Sequence, residues 1–184
     1  MKKILTIIVL IFIWTTLLSA SSFFNLAYSN TETNTQMYDE NGNEMLFPNT
    51  KYLKFRWGTH YFPLEEAPFP FDWYMDIGGG YSKVIKNRYN GEILEVRYQS
   101  YLLNGGITYG FNNYIVLFGG IGINHRRANI EVESSDNDPT AIVIENKFNA
   151  NFGGILYLYK TSFGITGEYD TAIKTISLGL SYRF

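Results

Sequence analysis

Eight charged or titratable side chains have the spacing that would place them on one face of a β-sheet. They are Lys54, Arg56, His60, Asp72, Asp76, Lys147, Glu168 and Arg183. Each lies where apolar and polar residues alternate, and alternate residues of a strand share a face. If residues 63–70 connect two neighbouring strands symmetrically, Arg56 lies opposite Asp76 and His60 opposite Asp72. The pattern therefore permits either a catalytic His–Asp pair or a structural network of ion pairs.

The structural network is the interpretation that we favour. A catalytic His60–Asp72 pair needs a nucleophile, and nothing in the spacing selects the candidate Ser82. If this face of the sheet lines a narrow, dry interior, a lone charge on it costs several kcal/mol. Opposite charges at facing positions are then expected without any catalysis. We expect no catalytic residues, and an interior polar network made of Lys54, Arg56, His60, Asp72, Asp76, Glu168 and Arg183.

Other kinds of site lack the residues that they require. The chain has two histidines and no cysteine, and it contains no cluster with metal-ligand spacing. Its glycine pairs, such as Gly105-Gly106 and Gly119-Gly120, lie within predicted strands and not before a helix, so they form no phosphate loop. We therefore expect no metal site and no cofactor.

The amino terminus has the organisation of a secretory signal peptide. Lys2 and Lys3 precede an apolar run over residues 4–18, and small residues around Ala20 provide a cleavage site. The alternative is an uncleaved membrane anchor, for which the run is short. Residues 1–20 are predicted to be a signal peptide that directs export.

The remaining chain has the composition of one all-β domain. Without residues 1–20, 164 of the 184 residues remain, with 13 of the 15 basic side chains against 17 acidic ones. This mild acidity argues against nucleic acid as a partner. The 15 Tyr, 14 Phe and 17 Gly of the full chain are typical of strands and turns. No later apolar stretch is long enough for a spanning helix, so only a closed barrel could cross a membrane.

The last segment, residues 173–184, alternates strictly from Thr175 onward. Its apolar face ends on Tyr182 and Phe184, although the terminal residues of a soluble protein usually fray. The segment resembles the closing strand of bacterial outer-membrane β-barrels, in which a terminal Phe after alternating apolar residues is the assembly signal. The resemblance implies that Tyr182 and Phe184 carry that signal, and that outer-membrane lipid and the barrel-assembly machinery are partners.

The middle of the chain predicts a hairpin around a three-residue loop at 112–114. The facing pairs expected on the lipid side are Phe111–Ile115, Tyr109–Leu117 and Leu103–Ile123, and those expected inside are Asn104–Gly122 and Gly106–Gly120.

Beyond Tyr101 and Asn124 the polar and apolar faces of this hairpin exchange places. Glu95, Arg97 and Gln99 then lie on the outer face, and Leu94, Val96 and Tyr98 on the inner one. We interpret this inversion as a hairpin that projects out of the membrane into water. The alternative is a β-bulge in each strand near residues 100 and 126.

Seven strands are clear, and single-chain bacterial barrels have even numbers of strands. We therefore predict an eighth strand within residues 38–47, a flexible periplasmic tail over 21–37, and a barrel domain over 38–184. The resulting fold class is an all-β, antiparallel, up-and-down transmembrane β-barrel. Residues 50–184 resemble small eight-stranded barrels of the OmpA/OmpX type.

This resemblance implies an integral protein of the outer membrane of a Gram-negative-type bacterium, with a structural or adhesion-like role and an external ligand that is unknown. The alternatives are an outer-membrane lipid-modifying enzyme and a small-solute channel. His125 is followed by Arg126 and Arg127, so it lacks the His-x-Ser arrangement of lipid A deacylases. A soluble lipocalin-like barrel is the alternative at the level of the fold, and it should have a polar outer face.

Overall fold

The computed structural model describes residues 21–31, 37–38, 44–45, 49–60, 71–89, 92–132 and 141–184. The predicted signal peptide over 1–20 and the predicted connector over 63–70 lie outside these residues. Within them, no helix is long and apolar enough to cross a membrane.

The described residues form eleven β-strands. They are β1 (Ser22–Thr31), β2 (Met37–Tyr38), β3 (Glu44–Met45), β4 (Thr50–Thr59), β5 (Phe71–Ser82), β6 (Ile85–Tyr89), β7 (Glu92–Gly110), β8 (Ile115–Val132), β9 (Ala141–Tyr157), β10 (Phe163–Asp170) and β11 (Thr175–Arg183).

Eight of these strands close into an antiparallel barrel, as predicted. The order around the barrel is β1, β11, β10, β9, β8, β7, β5, β4 and back to β1. Among the described strands, β6 has β7 as its single partner, and β2 and β3 form a separate pair. We call the end of the barrel where β1 begins and β11 ends the lower end, and the opposite end the upper end.

The position of the first barrel strand was predicted wrongly. The flexible tail over 21–37 and the eighth strand within 38–47 are both replaced by β1, which pairs with β11 on one side and β4 on the other. Residues 23–30 alternate between buried and exposed, with Phe24, Leu26 and Tyr28 facing outward. The inner face of this strand is mostly polar or small, so the segment has the composition of a solvated tail. Phe23 on the inner face is also apolar and directly precedes Phe24, so it interrupts the alternation of polar and apolar residues in the sequence.

The outer wall of the barrel is apolar from the lower rim up to the level of Tyr81 and Tyr101. Leucine, isoleucine and aromatic side chains of all eight barrel strands face outward, and Leu180 in β11 is 71% exposed. The inward positions of the same strand, Ser177 and Ser181, are buried. The soluble lipocalin-like alternative predicted a polar outer wall, and it is therefore wrong.

The hairpin β7–β8 has the predicted register. Phe111, Tyr109 and Leu103 face Ile115, Leu117 and Ile123, and the pairing runs without a break up to Leu94–Val132. The uninterrupted ladder rejects the β-bulges proposed near residues 100 and 126. The loop is stabilised by Asn112, whose side-chain oxygen accepts hydrogen bonds of 2.8 Å from the backbone N–H groups of Tyr114 and Ile115.

The upper parts of β7, β8 and β9 extend beyond the rim of the other barrel strands, and β6 joins them. We call this region, residues 85–89, 92–99, 126–132 and 141–148, the projecting sheet. Its inner face buries Val96, Tyr98, Ala128 and Ile130, while Arg97 on the outer face is exposed. The predicted exchange of faces is confirmed.

Residues 85–89 are largely polar, and they form strand β6. Tyr81 of β5 pairs with Gln99 of β7, and Ile85 of β6 pairs with Val96 of β7. Between these pairs the chain advances by four residues on one side and by three on the other. The hydroxyl of Ser82 accepts a 2.9 Å hydrogen bond from the backbone N–H of Tyr98 within this stretch. The extra residue forms a β-bulge. After it, strand β6 continues the sheet above the rim.

An arginine in place of Leu180 should destabilise the protein in lipid vesicles by about 2–4 kcal/mol, because it would place a charge near the middle of the apolar wall. Urea unfolding in vesicles, followed by tryptophan fluorescence, measures this difference. The matched control is Gln99→Arg on the outer face of the projecting sheet, where we expect a change of about 0–1 kcal/mol. Equal effects of the two substitutions would contradict a lipid-covered wall at Leu180.

Candidate functional site

The centre of the barrel interior is the guanidinium group of Arg56, a β4 residue whose exposure is 1%. Its Nη2 donates to Asp76 Oδ2 at 2.5 Å and also bonds Glu168 Oε2. The guanidinium carbon lies 3.9 Å from the ring centroid of Phe118 and 4.7 Å from that of Tyr74. Arg56 and Asp76 are cross-strand partners, as the symmetric connector predicted. One cation is thus held by two carboxylates and two aromatic faces.

A second buried cation, Lys54, completes the ionic part of the interior. Its ammonium group pairs with both Glu168 and Asp170. Asp170 also accepts a 2.9 Å hydrogen bond from the side-chain amide of Asn149. Asp170 is the last residue of β10, where it pairs with Thr175 of β11, and it is absent from the predicted set. Asp170 is therefore a member of the network that sequence reasoning missed.

Neutral polar side chains connect these ion pairs across the interior. Asn151 donates to Asp76 at 3.2 Å and accepts at 2.8 Å from the hydroxyl of Tyr74. Asn149 bridges Asp170 and Asn104, donating to each at 2.9 Å. A buried group without such partners would cost free energy. The asparagines thus extend the ionic core over several strands.

The Tyr74 ring fits because glycines face it. A Cβ atom at Gly106 would lie 2.7 Å from Tyr74 Cε1, which is closer than real contacts allow. Gly106 pairs with Gly120 in β8, so two facing glycines leave the space that the ring fills. An interior of eight strands is narrow enough for side chains to fill.

The network contains Lys54, Arg56, Asp76 and Glu168 of the predicted set, and the other members lie apart from it. His60, at the lower end, packs between the rings of Phe23 and Tyr157, with centroid distances of 5.5 and 5.7 Å. Asp72 accepts a 2.9 Å hydrogen bond from the backbone N–H of its neighbour Trp73.

Arg183 also lies at the lower end, where it donates to the backbone oxygens of Asn113 and Thr161 at 2.8 and 3.1 Å. Lys147, near the upper end, pairs with Glu145 at 3.1 Å. The sequence grouped all these residues because they share a face. A strand rises about 3.3 Å per residue, so residues on one face can lie at very different levels.

The Ser82 nucleophile considered for a His60–Asp72 pair is excluded by position. Ser82 pairs with Thr50 at the upper end of β4. Thr50 precedes His60 by ten residues of extended chain. That separation corresponds to about 33 Å, far beyond the distance of about 3 Å that proton transfer requires. Among the described residues there is also no group of three or more histidine, aspartate or glutamate side chains that could hold a metal ion.

The two residues predicted to carry the assembly signal lie at the lower rim. The backbone of Phe184 exchanges hydrogen bonds of 3.0 and 3.2 Å with Ser22, and its ring packs on Phe24 at 5.3 Å. The Tyr182 ring packs on Phe163 at 5.1 Å. These contacts tie the carboxyl terminus to both neighbouring strands. Recognition of the two residues during assembly stays a prediction.

Replacing Arg56 by methionine should destabilise the barrel by about 3–5 kcal/mol, because Asp76 and Glu168 lose their shared cation while staying buried. Urea unfolding in detergent micelles gives the free energy of unfolding. In the triple variant Arg56→Met, Asp76→Asn, Glu168→Gln the uncompensated charges are removed, and we expect most of the loss to be recovered. A triple variant no more stable than the single variant would contradict the ionic role of these residues.

Comparisons with known proteins concern the fold. No protein-family model matches the sequence, and no curated protein matches it. Among solved structures, the fold resembles Ail, the attachment invasion locus protein of Yersinia pestis. One structure of Ail, in complex with the heparin analogue sucrose octasulfate, has a TM-score of 0.59 at 16% identity and covers 89% of this chain and 98% of that chain. A second has a TM-score of 0.58 at 14% identity and covers 90% and 99%. The chain has the fold of small, eight-stranded outer-membrane β-barrels.

Proposed function

We propose that the protein is an integral outer-membrane barrel whose projecting sheet makes contacts at the cell surface. The apolar outer wall supports the location, since a closed barrel with such a wall is stable only where lipid covers it. Small barrels of this kind place short turns in the periplasm and long strands and loops outside. The lower end, with the short turns at 112–114 and 158–162, accordingly faces the periplasm, and the projecting sheet faces the exterior.

The observation that carries the surface-contact role is the open edge of β9. Below Ala150 this strand pairs with β10, and the last backbone bond, from Thr171 N–H to Ala150 O, is 2.9 Å long. In the described part of the chain, no strand pairs with the same edge between residues 142 and 148. An open edge offers backbone groups to an extended segment of another protein. Ail, the structural neighbour, is by its name an attachment protein, which agrees with such a role.

The side chains beside this edge favour protein contact. Ile144 is 59% exposed and Ile142 lies one outward position above it, on the outer face of the projecting sheet. Arg127 of β8 pairs with Ile144, and its Nε donates to Asn129 at 2.9 Å. The edge thus combines unpaired backbone with apolar and cationic side chains.

A non-catalytic role accords with the position of the histidines. His60 is enclosed by aromatic rings at the periplasmic end, and His125 Nδ1 lies 2.7 Å from Asn146 Oδ1. His125 also stacks on Tyr101 at 6.5 Å. We further propose that Tyr182 and Phe184 are read by the barrel-assembly machinery, because they end the strand that closes the barrel.

Planar-bilayer recordings of the purified protein should show no steady conductance, because Arg56, Tyr74 and the asparagines fill the interior. The double variant Arg56→Gly, Tyr74→Gly removes two of the largest buried side chains and should produce measurable ion currents. Its folded state is checked by heat-modifiable gel migration. Steady currents through the unchanged protein would favour the channel alternative over the surface-contact role.

Proline in place of Ile144 should lower adherence of bacteria that produce the protein to serum-protein-coated surfaces several-fold. The backbone groups of Ile144 point to the same edge as those of Ala150, because alternate residues of a strand share an edge. Proline removes the N–H from that edge and is tolerated in edge strands. The matched control, Ile144→Val, keeps the N–H and a branched apolar side chain, so adherence should stay unchanged. Equal adherence of the proline variant would exclude the β9 edge as the contact.

A further inference from the structure

Two depressions lie one above the other on the outer wall formed by β1, β4, β5 and β7. The upper one, at the exterior rim, has a volume of about 550 Å³ and is lined by Asn30, Asn49, Lys51, Tyr81, Lys83, Val84 and Ile85. The lower one has a volume of about 510 Å³ and is lined by Leu26, Leu53, Phe55, Ile77, Gly78, Gly79, Tyr101 and Leu102. We call them the lysine cleft and the apolar groove.

The two depressions are continuous because of the strand register. Lys51 pairs with Tyr81, and Leu53, the next outward residue of β4, pairs with Gly79, the next outward residue of β5. Successive outward residues are separated by about 7 Å along a strand. The lysine cleft therefore begins where the apolar groove ends, with the Tyr81 ring at their junction.

The lysine cleft has the charge of a site for a lipid headgroup, and it lies at the level along the barrel where headgroups are expected. Lys51, Lys83 and Tyr81 are all exposed on the outer surface. Among the described residues, no carboxylate lies within ion-pair distance of either lysine, whereas Lys86 nearby pairs with Glu95 at 3.2 Å. Outward tyrosines mark the level of the lipid headgroups in membrane barrels. Two cations at that level attract an anionic headgroup.

The apolar groove has the shape of an acyl-chain site. Gly79 faces outward, and a Cβ atom there would meet nothing within 4 Å. Leu53 and Tyr101 are its cross-strand partners, and both side chains are exposed on the wall. The missing side chain leaves a furrow between apolar side chains that runs down into the hydrocarbon region.

We propose that this wall binds one anionic lipid of the outer leaflet, with its phosphate between Lys51 and Lys83 and an acyl chain in the groove over Gly79. The proposal rests on the outer-membrane location proposed above. A soluble phosphate would use the lysine cleft alone, and a zwitterionic lipid carries beside its phosphate a cationic group that the two lysines repel. The joint arrangement selects a molecule that carries both an anionic head and a hydrocarbon chain.

A second furrow on the barrel provides an internal comparison. It has a volume of about 350 Å³, surrounds Gly105, and is lined by Met75, Leu103, Asn104, Ile121, Gly122 and Ile123. Directly above it Tyr101 and His125 stack on each other, and His125 contacts Asn146. It has an apolar floor without a pair of lysines above it, so we expect no preference for anionic lipid there.

Native mass spectrometry of the purified protein in detergent micelles tests the proposal. The probes are dioleoyl phosphatidylglycerol and dioleoyl phosphatidylcholine, which have the same chains and differ in headgroup charge. We expect one phosphatidylglycerol molecule to be retained at least tenfold more strongly than phosphatidylcholine. Inorganic phosphate at equal concentration should not displace it. Displacement by phosphate, or equal retention of the two lipids, would overturn the proposal.

Four variants locate the site. The double variant Lys51→Gln, Lys83→Gln should abolish the preference for phosphatidylglycerol, while Lys160→Gln at the periplasmic turn should preserve it. Gly79→Leu fills the apolar groove and should lower retention about tenfold, whereas Gly105→Leu fills the other furrow and should leave retention unchanged. Each variant is first shown to be folded by heat-modifiable migration. Unchanged lipid retention in the double-lysine and Gly79 variants would reject the site.

Cell fractionation separates this result from the proposed function. A protein recovered in the outer membrane that retains no phosphatidylglycerol would overturn the lipid site alone. Recovery in the soluble periplasmic fraction would overturn the outer-membrane location, and with it the basis of the lipid site.

Discussion

Within lipid, every backbone N–H and C=O group must find its partner inside the protein, and the rest of this structure depends on that requirement. The pairing of β1 with β11, from Phe23–Arg183 to Tyr28–Leu178, meets it by joining the two ends of the sheet. The backbone bonds between Ser22 and Phe184 complete the ladder at the lower rim. Both termini of the barrel are therefore structural elements, and the amino-terminal strand matters as much as the carboxy-terminal one.

Closure with eight strands leaves an interior that is too narrow to hydrate its charges. Arg56 and Lys54 are therefore surrounded by Asp76, Glu168 and Asp170, and the aromatic ring of Tyr74 occupies the space left by facing glycines. Such ion pairs offset the cost of their own burial more than they add stability. Their arrangement instead fixes which strands face each other across the interior.

The same strands meet two solvents along their length. In β7 and β8 the outer face is apolar up to Tyr101 and polar above it, because lipid surrounds the lower part and water the projecting sheet. The lysine cleft lies close to this level on the neighbouring strands, since Tyr81 of β5 pairs with Gln99 of β7. The proposed lipid site and the proposed contact edge thus lie at different heights along one continuous β-structure.

Local alternation determined much of this protein from its sequence: the barrel class, the outward apolar wall, the register of β7 with β8 through Asn112, and the exchange of faces at Tyr101. The Arg56–Asp76 pair could also be predicted from the sequence, because the connector between the two strands is short enough to constrain their register. Strand β1 was missed, since the polar inner face of a barrel strand resembles a solvated tail. The separation of His60 and Arg183 from the ionic network, and the inclusion of Asp170, were decided by tertiary structure. Alternation tells which face a residue occupies, but only the closure and tilt of the whole sheet decide which residues from distant strands meet at one level.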